Sequence, residues 1–229
     1  MLVSHKYKFV FVHLGKTAGV SISNALKPYC DVTNGDIIME GINVDNSLNH
    51  HAKAFEIKAA FEKLGWDWNS YYKFMSMRNP FEIIHSDFYY QKYQGISQFG
   101  DGPPSNDQPF YGWAKKCYET IHMKFPDYFE MVYGHWDGGF VRSWGTDMHK
   151  NILVDHICEN RSLQKDFDIV CEKIGIPKIE LKRDNTTDSL INKKRPSLKE
   201  DYNTELIEKI SFIFKEDIDM FNYTFEEAK

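Results

Sequence analysis

The chain has 229 residues, and its 28 Lys+Arg against 33 Asp+Glu leave a formal charge of −5. With 42% hydrophobic and 15% aromatic residues it has the apolar content of a folded chain, which excludes disorder, and the acidic balance excludes a polycation that binds nucleic acid through bulk charge. The balance is uneven: residues 1–80 hold nine Lys/Arg and seven Asp/Glu, so +2 there and −7 beyond, and a bound anion is to be sought in the first third.

No apolar run approaches the roughly 18–20 residues of a membrane span. Met1-Leu2-Val3-Ser4-His5-Lys6 lacks a signal-peptide pattern. The expectation is a cytoplasmic protein without membrane contact, folded as one domain over 1–229. Cys30, Cys117, Cys158 and Cys171 are widely spaced and form no CxxC, which argues for packed, reduced thiols rather than a zinc ribbon or a redox pair.

In chain order, Tyr7 to His13 is aromatic and β-branched and predicts a buried strand. Leu14-Gly15-Lys16-Thr17-Ala18-Gly19 is a small-residue turn, and Val20 to Lys27 predicts a helix stopped by Pro28. Residues 52–64 predict an amphipathic helix ending at Gly65. Tyr72 to Met77 predicts a second strand, broken by Arg78-Asn79-Pro80, with a helix from Phe81 to Tyr93. Residues 95–109, with three Gly and three Pro, predict a surface loop. Helices are predicted at 111–123, 162–174 and 201–221. Strands alternating with helices predict an α/β fold, a sandwich around a mainly parallel central sheet.

Strand, tight loop and helix in succession form a common phosphate site, because the helix dipole and its unused N–H groups face the loop. Lys16 brings a point charge. Gly15, Ala18 and Gly19 allow close backbone approach, and Thr17 and Ser21 carry hydroxyls. The P-loop pattern of kinases and ATPases is absent, since its first glycine would fall at Val10, inside the strand.

The segment His13-Leu14-Gly15-Lys16-Thr17-Ala18-Gly19-Val20-Ser21 resembles the 5′-phosphosulfate motif of sulfotransferases that use 3′-phosphoadenosine 5′-phosphosulfate (PAPS), in their carbohydrate-type (Golgi-type) branch. That pattern reads His-Ile-Pro-Lys-Thr-Gly-Gly-Thr-Ser, so Leu14, Gly15, Ala18 and Val20 depart from it, and Val20 lacks a hydroxyl. Met77-Arg78-Asn79-Pro80, with Ser86 eight residues after Arg78, is similar to the family's 3′-phosphate motif; Ile83 replaces a frequent second Arg. The two motifs stand about 60 residues apart in the family's order. Weaker similarity reaches residue 225, through a helix around 166–176, Asn185 in a late loop and Asp217 to Tyr223.

The resemblance implies a three-layer, P-loop-NTPase-like sulfotransferase fold with PAPS as donor, its product 3′-phosphoadenosine 5′-phosphate (PAP), and no metal. It implies that Gly15, Lys16, Thr17, Ala18, Gly19, Val20 and Ser21 cradle the 5′ side, and that Arg78 and Ser86 bind the 3′-phosphate. Lys182, Arg183, Lys193, Lys194 and Arg195 are further basic candidates. Sulfuryl transfer needs a base on the acceptor oxygen and a cation on the leaving phosphate. Lys16 fits the cation. His51 stands where the family places a histidine between its two motifs, with His50, Glu56 and Asp87 as alternatives; His13 is expected to be structural and His85 to pack beside the phosphate helix. His149 and His156 have no converging carboxylate cluster. The acceptor is expected to be a glycan or a small molecule, sulfated on O or N and read by residues 95–150, with Trp113, Trp136 and Trp144 as candidate lining. The rival readings are a nucleotide or small-molecule kinase and a non-catalytic nucleotide-binding module.

Overall fold

The computed structural model describes residues 1–33, 38–39, 42–43, 50–100, 102–107, 111–182, 187 and 194–228. They fall into two compact units, Met1–Arg78 with Phe140–Asp184, and Asn79–Gly139 with Asn185–Lys229.

The first unit is α/β. Its strands are β1 (Leu2–Ser4), β2 (Phe9–Val12), β3 (Val32–Thr33), β6 (Tyr72–Met77) and β7 (His156–Glu159), in the sheet order β3-β1-β2-β6-β7. A separate two-stranded ribbon pairs β4 (Ile38–Met39) with β5 (Ile42–Asn43). β2, β6 and β7 pair in parallel, and β1 runs against both its neighbours. β3 therefore shares the direction of the other three, and the expected mainly parallel sheet is present. All four residues of β2 are buried, as a central strand covered on both faces requires.

Alternation sorts the faces. Phe9, Phe11, Phe74 and Cys158 pack with Ile22 and Leu26 of α1 (Gly19–Leu26) and with Phe167, Val170 and Ile174 of α7 (Leu163–Ile174) in one apolar cluster. On the other face, Met75 lies against Gly145 of α6 (Phe140–Gly145), where an added Cβ would stand 3.0 Å from its sulfur. α6 also packs on α2 (Ala54–Lys63). Helix, sheet and helix give the three expected layers within this unit.

The second unit is helical. Its axis is α3 (Pro80–Phe99), with α4 (Tyr111–Thr120), α5 (Phe125–Val132) and α8 (Leu198–Asp201) against it, followed by α9 (Thr204–Ile213) and α10 (Lys215–Phe221). Asn79 caps α3: its Oδ1 accepts from the Phe81 N–H at 3.2 Å, and Pro80 takes the first helical position, where no N–H is needed. The first part of the predicted 95–109 loop is instead the end of α3. Gly95 is not a breaker there; it lets α4 approach so closely that a Cβ would stand 2.2 Å from the Cys117 carbonyl. The helix predicted over 201–221 divides at Phe214, whose ψ of 23° departs from helical values although its N–H still bonds the Ile210 carbonyl at 2.9 Å. All four cysteines are free thiols. Among the described residues, no helix is long and apolar enough to cross a membrane.

Candidate active site

Parallel strands bring the first unit's candidate residues to one edge. Val12 of β2 pairs with Met75 of β6, and both strands run the same way. The loop that carries Lys16 and the residue Arg78 therefore leave the sheet at the same, C-terminal end, the usual ligand edge of an open α/β sheet.

The loop is tightly built. Lys16 and Ala18 both adopt left-handed backbone, at φ 66° and 68°, and Ala18 is the residue from which α1 starts. The Thr17 hydroxyl is fully buried. It donates to the Leu14 carbonyl at 2.8 Å, which leaves the Ser76 hydroxyl to donate to it at 2.7 Å. Thr17 thus ties the loop to β6, and what it offers a ligand is its backbone rather than its hydroxyl. Ser21 is buried on the first turn of α1, Val20 is half-buried, and Gly15 lies under the His51 ring. The first-turn N–H groups of α1 have no partner in the helix ladder, which is how helix starts hold anions.

Three histidines meet beside this loop. The rings of His50 and His51 are 3.9 Å apart, His13 and His51 4.8 Å, and His13 and His50 5.7 Å. His13 is buried and fills the space over Gly19, where a Cβ would stand 2.1 Å from the ring. Burial, then the neighbouring His51, hold the His13 imidazole well below its ordinary range. His50 is exposed, yet desolvation by its surroundings, then the neighbouring His51, lower its pKa to about 4. Both rings are therefore neutral at pH 7.

His51 is oriented from two sides. Its Nδ1 lies 2.9 Å from the His13 carbonyl, which can only accept, so Nδ1 carries the proton and the lone pair of the neutral ring sits on Nε2. The His51 carbonyl accepts from Trp144 Nε1 at 3.2 Å. Trp144, a candidate for an acceptor pocket on sequence grounds, is thus a brace for the histidine.

The other candidates are placed as follows. Glu56 caps α2, its Oε2 accepting from the Lys53 N–H at 2.6 Å. Asp87 Oδ2 accepts from the Tyr128 and Tyr133 hydroxyls at 2.5 and 2.8 Å. His85 is buried on α3, its Nε2 3.0 Å from Asp201 Oδ2. Trp136 packs on Tyr133 and Phe214 within the helical unit, and Trp113 lies on α4. Ser86 is buried on α3. Lys182 and Lys194 are exposed and Arg195 is half-buried, whereas Arg183, Asn185 and Lys193 lie outside the described residues. No group of three or more His, Cys, Asp or Glu able to hold a metal occurs among the described residues.

Ser76 and the bracing role of Trp144 were not read from the sequence. The one available signal was a lone serine in the apolar run Phe74-Met75-Ser76-Met77.

Comparison with curated proteins and with solved structures gives no match. The family model described as "Sulfotransferase family" matches residues 1–224, nearly the whole chain, and the protein belongs to that family, whose chemistry is sulfuryl transfer to an acceptor.

Proposed function

We propose that the chain transfers the sulfuryl group of PAPS to an acceptor hydroxyl, with Lys16 on the leaving phosphate and His51 as the base. One observation supports this most directly: Lys16 and Arg78 issue from the C-terminal ends of adjacent parallel strands, as cations at the two ends of a bisphosphorylated nucleotide would need. The donor supplies an SO₃ unit on a good leaving group.

Lys16 and the first-turn N–H groups of α1, with Gly15, Thr17, Ala18, Gly19, Val20 and Ser21 shaping the backbone, bind the 5′ side. They offset the negative charge that grows on the departing oxygen. Arg78, with its planar fork of donors, takes the 3′-phosphate. Ser86 joins it in this reading, on the strength of its spacing from Arg78 in the sequence. His51 accepts the acceptor proton at Nε2, because Nδ1–H is committed to the His13 carbonyl. His50 is the poorer base, since a group with a pKa of about 4 has little driving force to take a proton near neutrality. Glu56 and Asp87 are occupied by a helix cap and by two tyrosines. The acceptor in this reading is a glycan or small-molecule hydroxyl, consistent with the carbohydrate-type motif.

Calorimetry with PAP and with ATP·Mg²⁺ tests the reading. PAP binding with no comparable ATP binding is expected, and the reverse would make the chain a kinase. Lys16→Ala should still bind PAP but lose about 10²–10³ in turnover. Unchanged turnover would remove the role given to Lys16.

A further inference from the structure

Lys53 stands at the N-cap of α2, two residues after His51, with the extended backbone of a cap at φ −78° and ψ 157°. Helix chemistry asks for Ser, Thr, Asp or Asn there, because the cap side chain must accept from the first-turn N–H groups. An ammonium accepts nothing, so the Lys53 side chain makes no cap bond, and the cap's one side-chain bond comes from Glu56, whose Oε2 accepts from the Lys53 N–H at 2.6 Å. Its charge also meets the positive end of the helix dipole, where cations are disfavoured. Lysine is therefore a poor choice for the fold at this position.

Its surroundings give the reason another purpose. The Lys53 ammonium lies over the Trp144 ring, 5.3 Å from the centroid. The same indole donates to the His51 carbonyl at 3.2 Å. One ring thus holds the base and, on its face, a half-buried cation. Among the described residues no carboxylate stands within ion-pair reach of Lys53, unlike Lys73, which is closed by Asp155 at 2.8 Å. The net charge of −5 does not favour anions in general, so an anionic acceptor needs a local cation to bind beside the base.

We propose that Lys53 is a specificity-determining residue that selects an acceptor with an anionic group, a carboxylate or sulfate, close to the hydroxyl that His51 deprotonates. The assignment rests on the sulfuryl-transfer reading, and its test separates the two.

The test titrates the full chain with p-nitrophenyl β-D-glucuronide and with the matching glucoside, which differ in one carboxylate, in the presence and absence of PAP. Wild type should bind the glucuronide about tenfold more tightly, a difference of about 1.4 kcal/mol. Lys53→Met, which keeps the length and the apolar contact with the indole, should reduce the preference to within about twofold; Lys53→Arg should keep it. PAP affinity should be the same in all three. Lys53→Ser, with a better cap, should melt no lower than wild type.

Absence of any glucuronide preference in wild type, its survival in Lys53→Met, or a lower melting temperature in Lys53→Ser would each overturn the proposal. Failure of PAP to bind would instead count against the sulfuryl-transfer reading. The glycoside titrations without PAP would still report on Lys53.

Discussion

His51 and Asp87 are both titratable side chains that chemistry could recruit as a base, and the two units treat them in opposite ways. Around Asp87 the hydroxyls of Tyr128 and Tyr133 converge on one oxygen, Gln91 Nε2 donates to the other at 3.3 Å, and Lys116 stands 3.8 Å away. Burial and the Asp87 charge push both tyrosines well above their ordinary range, so their protons stay on to serve the carboxylate. That network spends its polar capacity on joining α3, α4 and α5. Around His51 the bonds fix one nitrogen and the carbonyl, and so define what the other nitrogen does. The Asp87 network serves as scaffold, whereas the orientation of His51 through Nδ1 is what the proposed base at Nε2 requires.

The difference can be broken at its strongest point first. His51→Ala should lower sulfuryl transfer by about 10²–10⁴, the usual worth of a general base, while His50→Ala should change it only a few-fold. Equal losses in steady-state assays with labelled donor would assign the base to the pair rather than to His51. Asp87→Ala should leave the rate per folded molecule unchanged and reduce stability by about 1–3 kcal/mol for each tyrosine hydroxyl it abandons, read from urea midpoints. A pure rate effect there would make Asp87 part of the chemistry.

The smallest effect is a pH dependence. His13 and His50 have folded pKa values below the ordinary histidine value of 6.5, to about 4 for His50. Between those limits the unfolded chain binds protons that the folded chain does not, so stability falls as pH falls from 6.5 towards 4. Melting curves across that window should show the decline, less steep in His50→Gln. A flat profile would mean that these rings meet water freely.

Legibility followed the range of the interaction. β2, β6, α2 and α7 come from runs of apolar residues or from helical periodicity, and they stand within a few residues of their expected positions. The three residues of β1 and the mixed run His156-Ile157-Cys158-Glu159 of β7 carry too little pattern of their own and are strands because the sheet pairs them. α5 and α6 are short and were likewise not expected. The family motifs brought out Lys16, Arg78 and His51 because each sits beside a local signal: a small-residue turn, a cap with its proline, a helix start. Ser76 reaches Thr17 across 59 residues and Trp144 reaches His51 across 93, through contacts that exist only after folding.

Ala18 carries one more implication. The related motif has glycine at this position, and here alanine holds the left-handed turn at φ 68°. The methyl group raises the energy of that turn by about 1–2 kcal/mol, yet it also removes choices from the unfolded segment, worth about 0.4–1 kcal/mol in the other direction. Stability is left only slightly poorer, and stiffness is gained. In the proposed reading, the donor's pocket is moulded before its guest arrives, and little affinity is lost to arranging it.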